Sequence, residues 1–551
     1  MARNCNLIHM LAKKHPPVAN LPSARWLALA EALRPALSRN DRWPVRLVEP
    51  VADPSAFQGW RLKEVAAAEA LPARTIGRGE QVIVDFGEHL VGYLRLELAY
   101  VGIAMDAPLR LKLVFGEVPA EVCEPFDPFD GTLSRAWLQD ELVTLDELSR
   151  PLTLPRRYAF RYLRIAVVAT SVNYRVRIAA LACERVTSAA RPPQPLPPGL
   201  PPDLVAIDEA GLRTLANCMQ TVFEDGPKRD RRLWSGDLRL QALTNYVSFA
   251  DTALVKRCLY LLAGLARADG CVPACVYEFP TPSMGIDFIL DYTALFPAIV
   301  LDYARASGDL DTARDLWPVA RRQLEIALAH LDDEGLFVDP KTWWLFIDWA
   351  DGLDKQAAVH GVLAYAAERT LALARLLERD ADVAHLPALA PRMKSAARAR
   401  LFDAGSGLFV SGAQRQVSWA SQTWMVLAGI MTPAEGAAAF RALPALPDAV
   451  TPGGPYLWHH VIEAMLICGL KDESLARVRS YWGAMIARGA TTFWEVFDPA
   501  DERRSPYRSH HLNSYCHAWS CTPAYFIRRG AFAGIIGPGS TPADGRKPMA
   551  H

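Results

Sequence analysis

Seven prolines fall between Pro192 and Pro202, in the run ARPPQPLPPGLPPD. Each fixes φ and removes a backbone donor, so the stretch reads as an extended, semi-rigid connector and not as part of a core. Hydrophobic periodicity differs on its two sides. Upstream the period is two: QVIVDFG (81–87) is a β-branched run ending in a turn signal, and YLRLEL (93–98), LRLKL (109–113) and VNYRVRI (172–178) alternate. RYAFRYLRIAVVA (157–169) reads as a further strand. Short alternating runs broken by Gly, Pro and Asp predict an antiparallel β-sandwich with one wet face. A helical stretch within residues 1–40, WLALAEALRPAL, would lead into it.

Downstream the period is that of helices. Leu238, Leu240, Leu243 and Val247 share a face, with Asp237 a candidate N-cap. About a dozen helical stretches run from residue 204 to 528, the last of them spanning 510–528. No fixed-period repeat marks a solenoid, so the count fits a closed toroid of six helical hairpins whose loops surround one cavity. The expected organisation is an N-terminal segment and β-sandwich domain (1–190), a linker (191–203), a helical barrel (204–530) and a short tail (531–551).

Composition narrows the function. With 551 residues, 51% apolar and 22% charged, there is material for a large core. Lys+Arg 60 balance Asp+Glu 60, which argues against nucleic acid or an anionic membrane as the main partner. Ten cysteines are too sparse for a disulfide scaffold, and neither Cys271/Cys275 nor Cys516/Cys521 has a second pair at zinc-finger spacing. The N-terminus lacks a signal-peptide h-region, and no apolar run is long enough to span a bilayer. A cytoplasmic protein without metal or organic cofactor is expected.

Three polar constellations could carry chemistry. EDGPKRDRRLWSGDL (224–238) sets Glu224, Asp225, Asp230 and Asp237 among Lys228, Arg229, Arg231 and Arg232, with Trp234 beside them. It could be a solvated loop or a nucleic-acid contact, although its four acids oppose the latter. Alternatively its carboxylates hold a polyol while neighbouring arginines set their protonation. In GATTFWEVFDPADE (489–502), Glu495 follows Trp494 in a segment too apolar to leave a carboxylate casually on the surface. In SHHLNSYCHAWSCTP (509–523) a helix would put His510 and His517 on roughly one face, and no carboxylate stands at ligand spacing, so no metal site is read there. Eleven of the fifteen tryptophans lie between Trp234 and Trp519, several in loops, among them Trp343, Trp344 and Trp349. Packing between helices accounts for some; stacking on the C–H faces of a sugar would account for others.

DGPKRDRRLWSGD (225–237), FIDWADG (346–352), GATTFWEVFD (489–498) and NSYCHAW (513–519) resemble, in order, the inverting α-L-rhamnosidases of glycoside hydrolase family 78. The resemblance implies an (α/α)6 barrel whose cavity takes a terminal L-rhamnose. It assigns the general acid to Asp230, where many members carry a Glu longer by one methylene, with Glu224 a nearby competitor. The general base would be Glu495. Asp225 and Asp237 would hold sugar hydroxyls, and Arg229, Trp234, Trp344 and Trp494 would help to line the pocket. Asp348, Trp349 and His517 match further pocket positions, and Asp291 more weakly. The C-terminal β-domain of larger members would be missing. Inversion needs one carboxyl that gives a proton to the leaving oxygen and a second, ionised one that takes a proton from water on the opposite face. The rivals are another inverting (α/α)6 glycosidase or a phosphorylase, and a non-catalytic sugar-binding relative. The expected partners are rhamnose-containing glycosides, with a homodimer plausible.

Overall fold

A computed structural model describes residues 21 and 23–534. The expectations for the first twenty residues and for most of the 531–551 tail lie outside that range.

The upstream part is antiparallel throughout. Ten strands form one sheet, ordered Ser38–Arg42, Tyr174–Thr187, Gln81–Gly102, Tyr158–Ala169, Leu109–Gly116 and Asp140–Leu145, with four short strands attached to its sides. The 22-residue strand Gln81–Gly102 lets the sheet fold over. Its first part pairs with Tyr158–Ala169 and its second with Tyr174–Thr187, around a break in register between Asp85 and Leu90. Gly87 sits in that break at φ +81°, where a β-carbon would be strained. Val82 and Val84 before the bend and Leu94 and Leu96 after it therefore face one core, shared with Leu109, Leu111 and Leu113. The alternation read in the sequence is this inward set.

The helix expected ahead of the sheet exists, as Ser23–Ala32, but it packs on the helical part. Trp26 is buried and donates its indole N–H to Asp315, and the Ala30 carbonyl accepts from the fully buried Arg257. The reason lies in Gly264, whose missing side chain leaves room for Leu27.

Downstream, twelve α-helices alternate between an inner and an outer ring. The inner ring passes from Ser235–Tyr246 through Leu290–Ser307, Gln356–Leu377, Trp419–Leu427 and Pro455–Ile467 to Pro523–Arg528, whose segment touches the first again and closes the toroid. Inner helices such as Leu290–Ser307 are buried nearly all round, and Ser235–Tyr246 is buried although it carries Asp237, Arg239 and Gln241; outer ones such as Leu310–Leu328 keep one polar face. No described helix is long and apolar enough to cross a membrane.

Two local expectations need correction. Residues 510–528 are not one helix but two 3-10 turns, His510–Leu512 and Ala518–Ser520, followed by Pro523–Arg528. The backbone between them is committed elsewhere: Glu495 N–H donates to Ser514 O (2.9 Å) and His517 N–H to Phe493 O (2.9 Å). Asp237 is not an N-cap. The helix begins at Ser235, which makes Asp237 its third residue.

Candidate active site

The first polar motif forms a closed loop at the N-terminal end of the helix Ser235–Tyr246. Asp225 N–H donates to Arg232 O, and Arg232 N–H returns a bond to Asp225 Oδ1, both at 3.0 Å. Gly226 is required because a β-carbon there would lie 2.8 Å from Ser514 Oγ. Asp230 and Arg231 follow at φ +62° and +53°, a sparsely populated region for non-glycine residues and a form of strain that collects at functional sites. The loop aims Arg229 and Asp230 inward.

Opposite it lies the segment carrying Glu495, strapped to residues 513–519 by the backbone pairs above and by the Trp519 indole N–H on Glu495 O (3.0 Å). Arg229 Nη2 donates to Glu495 Oε2 at 2.5 Å, Ser514 N–H to the same oxygen at 3.1 Å, and the Tyr507 hydroxyl to Oε1. The Arg229 guanidinium lies over the Tyr507 ring (4.3 Å), and its Nη1 sits 3.5 Å from Asp230 Oδ2. One guanidinium therefore stands between two carboxyls contributed by residues far apart in the chain. Burial alone would raise Glu495, but Arg229 and the Tyr507 hydrogen bond outweigh it and hold the carboxyl below its ordinary value.

On the other wall His517 stands between two acids, with Nε2 4.0 Å from Asp225 Oδ2 and Nδ1 3.8 Å from Asp237 Oδ1. Burial, reinforced by neighbouring acids, pushes Asp225 and Asp237 well above the usual carboxylate range. Burial also lowers His517 to about 3, so its imidazole is neutral. Aromatic rings close the cavity: Trp234, Tyr292, Phe346, Trp349 and Trp519 inside, and Trp344, 38% exposed, at its mouth. The indole N–H groups of Trp234 and Trp349, Asp237 Oδ1 and His517 Nδ1 make no hydrogen bond among the described residues although each is buried. Buried polar atoms left in this state face a ligand or water.

The sequence-predicted residues Asp225, Arg229, Asp230, Trp234, Asp237, Trp344, Trp349, Glu495 and His517 thus line one cavity. Three others do not. Asp291 is buried below the floor, where it accepts the backbone N–H groups of Phe346 (2.8 Å) and Ile347 (3.0 Å) and fixes the loop that carries Trp344 and Trp349. Asp348 accepts the Gly453 N–H, and burial lifts it to about 7. Trp494 points away from the cavity and stacks on Phe57 of the β-domain (4.3 Å), because Glu495 next to it takes the inward direction. Glu224, the competitor for the acid role, is absorbed by Arg157 of the β-domain, whose Nη2 lies 2.7 Å from both of its oxygens. Tyr507, Tyr292, Phe346 and Trp519 were not foreseen. Phe346 and Trp519 lie within motifs singled out above; Tyr507 sits in RSPYRS, which carries no signal.

Comparison with known proteins agrees with this geometry. Residues 44–185 match the family model of the glycosyl hydrolase family 78 alpha-rhamnosidase N-terminal domain. Residues 201–530 match that of the bacterial alpha-L-rhamnosidase 6 hairpin glycosidase domain. A rhamnosidase from Klebsiella oxytoca, solved with rhamnose bound, is 49% identical, with TM-score 0.89 over 92% of this chain and 98% of its own. A family 78 rhamnosidase of Bacillus sp. GL1 (23% identity, TM-score 0.68) and the Streptomyces avermitilis α-L-rhamnosidase complexed with L-rhamnose (19%, 0.60) share the fold. They match over 85% and 83% of this chain, which spans 49% and 43% of theirs. No curated protein matches. By both domain matches and by its likeness to the Klebsiella enzyme, the chain belongs to glycosyl hydrolase family 78, the α-L-rhamnosidases.

Proposed function

We propose that this rhamnosidase releases terminal, non-reducing α-L-rhamnose with inversion of configuration, Asp230 acting as general acid and Glu495 as general base. The observation that carries the reading is the pairing of Asp230 and Glu495 on two nitrogens of one guanidinium within an aromatic cavity. Glu495 is held ionised, as a base for water must be. With Arg229 between them the carboxyls are kept apart, in the sense of the roughly 6.5–9.5 Å that leaves room for water in inverting enzymes. Asp225 and Asp237, raised by burial, can present protonated carboxyls to sugar hydroxyls, with neutral His517 between them. Trp234, Trp349 and Trp519 supply faces for the apolar side of the ring. The bound rhamnose of the Klebsiella relative supports the choice of sugar.

The test follows the anomeric proton by NMR during the first minutes of hydrolysis of an aryl rhamnoside. The expected first product has the anomeric configuration opposite to the substrate's; a retained configuration would mean a covalent intermediate and exclude Glu495 as a base for water. Glu495→Gln should lower kcat by about 10²–10⁴-fold while substrate still binds. Asp230→Asn should lose comparable rate on poor leaving groups and less on activated ones, which need little protonation. A wild type that binds rhamnose without releasing it would establish the sugar-binding alternative. The reading includes a cytoplasmic setting, in keeping with described cysteines that are all free, and a dimer, which light scattering of the purified protein would test.

A further inference from the structure

The inner helix Pro455–Ile467 carries a second polar cluster that rhamnoside hydrolysis does not use. His459 and His460 are completely buried, and none of their four ring nitrogens has a hydrogen-bond partner among the described residues. Glu463, one helical turn further on, is equally unpartnered at Oε2, which lies 3.9 Å from His459 Nε2 and 3.8 Å from His460 Nδ1. One donor atom from each of the three falls within a 4.8 Å cluster. Orphaned polar atoms of this kind are expensive in a protein interior, and three of them, His459 Nε2, His460 Nδ1 and Glu463 Oε2, gathered in one place call for a common partner.

The charges specify the partner. No Lys or Arg forms an ion pair with Glu463 among the described residues; its neighbours within 4 Å are the two imidazoles. The nearby Arg239 is turned toward Asp302, through Nε (3.0 Å), and the Tyr365 hydroxyl, through Nη2 (2.8 Å), with Nη1 left without a hydrogen bond among the described residues. Two imidazoles and one carboxylate are a borderline-soft donor set suited to zinc and its neighbours, with a water completing four-coordination. Ligand atoms around tetrahedral zinc sit about 3.3 Å apart, so side-chain rotations that draw in the two His–Glu463 distances of 3.8–3.9 Å, and a His–His separation within 4.8 Å, complete the site. Glu463 also lines a cavity of about 390 Å³ beside the helix Pro523–Arg528, which Lys471 and Arg529 line as well and the two histidines do not.

We propose that His459, His460 and Glu463 bind one divalent transition-metal ion of the zinc class in the interior of the barrel. It would lie a layer beneath the catalytic cavity: His460 packs on Tyr456, and Tyr456 packs on Phe346 and Trp519 of the cavity wall. The other His/Glu cluster, Glu124 with His510 and His511, is unlike it. There Trp60 Nε1 and Arg503 already occupy the carboxylate, and Arg503 Nη1 stands 3.3 Å from His510 Nε2, where an ion would have to sit.

The test strips the full chain with a chelator and titrates it with zinc by calorimetry and with cobalt(II) by visible absorption. Metal content is then measured after gel filtration. The expected result is one ion per chain, a four-coordinate cobalt spectrum, and a melting temperature that rises with zinc. His460→Gln and Glu463→Gln, which preserve volume, should weaken binding by more than about 100-fold, since loss of mere supporting groups already costs 10–100-fold. His510→Gln/His511→Gln should leave binding unchanged. Wild type that takes up no ion at tens of micromolar overturns the proposal, as does binding that survives both cluster variants or disappears instead with the His510/His511 pair. The wild-type titration is decisive even if a variant fails to fold.

Discussion

At the scale of single residues, Arg229 and Tyr507 decide how Glu495 ionises. Burial pushes the carboxyl up; Arg229 pulls hardest against it, His517 and the Tyr507 hydroxyl less, and together they bring it below its ordinary value. In the proposed role of base for water Glu495 works ionised, so activity should be lost as pH falls through its value. Tyr507→Phe removes one donor and raises that value; the acid limb of the kcat/KM profile should therefore move to higher pH. An unmoved acid limb would mean that the hydroxyl does not tune the base. Asp237 shows the opposite balance. Its folded value lies well above the unfolded one, so the native state holds the proton more tightly, and stability falls as pH rises from the unfolded value toward the folded one. Asp237→Asn removes that penalty. It should melt higher than wild type at neutral pH while losing most activity, a trade seen where function demands a strained or desolvated group. Differential scanning fluorimetry across pH checks it.

At the scale of elements, the site depends on how a few loops are fastened to helix starts. The loop bearing Trp344 and Trp349 is tied to the helix Leu290–Ser307 by the two N–H groups on Asp291 and by Leu290 N–H on Trp344 O (3.0 Å). Asp291→Ala strands two buried donors, each at a cost of about 1–3 kcal/mol, less whatever the loop recovers by moving. The expectation is a lower denaturation midpoint and a raised KM, with a smaller effect on kcat because neither Asp230 nor Glu495 is anchored there. A KM unchanged beside a clear loss of stability would show that the tryptophan loop does not hold substrate. The irregular run 509–522 makes a related point, since its residues give up helix formation in order to pair with the Glu495 segment.

At the scale of the whole molecule, the β-domain is part of the active-site scaffold. Lys228, one residue before Arg229, is buried against Glu121, stands 3.7 Å from Glu117 and donates to Asn513 O (2.8 Å). Glu117 also accepts the Tyr515 N–H (2.6 Å), and Arg157 holds Glu224 at the root of the acidic loop. Thr132 N–H of the β-domain reaches Tyr507 O (3.0 Å). Lys228→Met leaves Glu121 buried without its cation, while Glu117 keeps His89 at 2.8 Å, and should destabilise the fold by about 3–5 kcal/mol. Urea unfolding measures this, and a loss below 1 kcal/mol would mean that water reaches the interface. The same contacts account for the neglect of the N-terminal half in a reading centred on motifs: its contribution is to hold the motif residues from behind.

The period of the hydrophobic pattern and the proline run are local properties, and they determined two parts of opposite secondary structure joined near residue 200. The resemblance of the motifs to family 78 pointed to carboxylates, an arginine and tryptophans most of which line one cavity, with Asp291, Asp348 and Trp494 outside it. Tertiary structure alone decided which way neighbouring side chains point. Trp494 turns out to Phe57 and Glu495 turns in to Arg229 because those partners, hundreds of residues away, occupy opposite sides of one strap. It likewise decided that Asp291 serves the backbone of residues 346 and 347, that Glu224 belongs to Arg157, and that Tyr507 reaches the base. Each of these depends on which donors and acceptors remain unmet once remote segments have packed, a quantity with no counterpart in spacing along the chain.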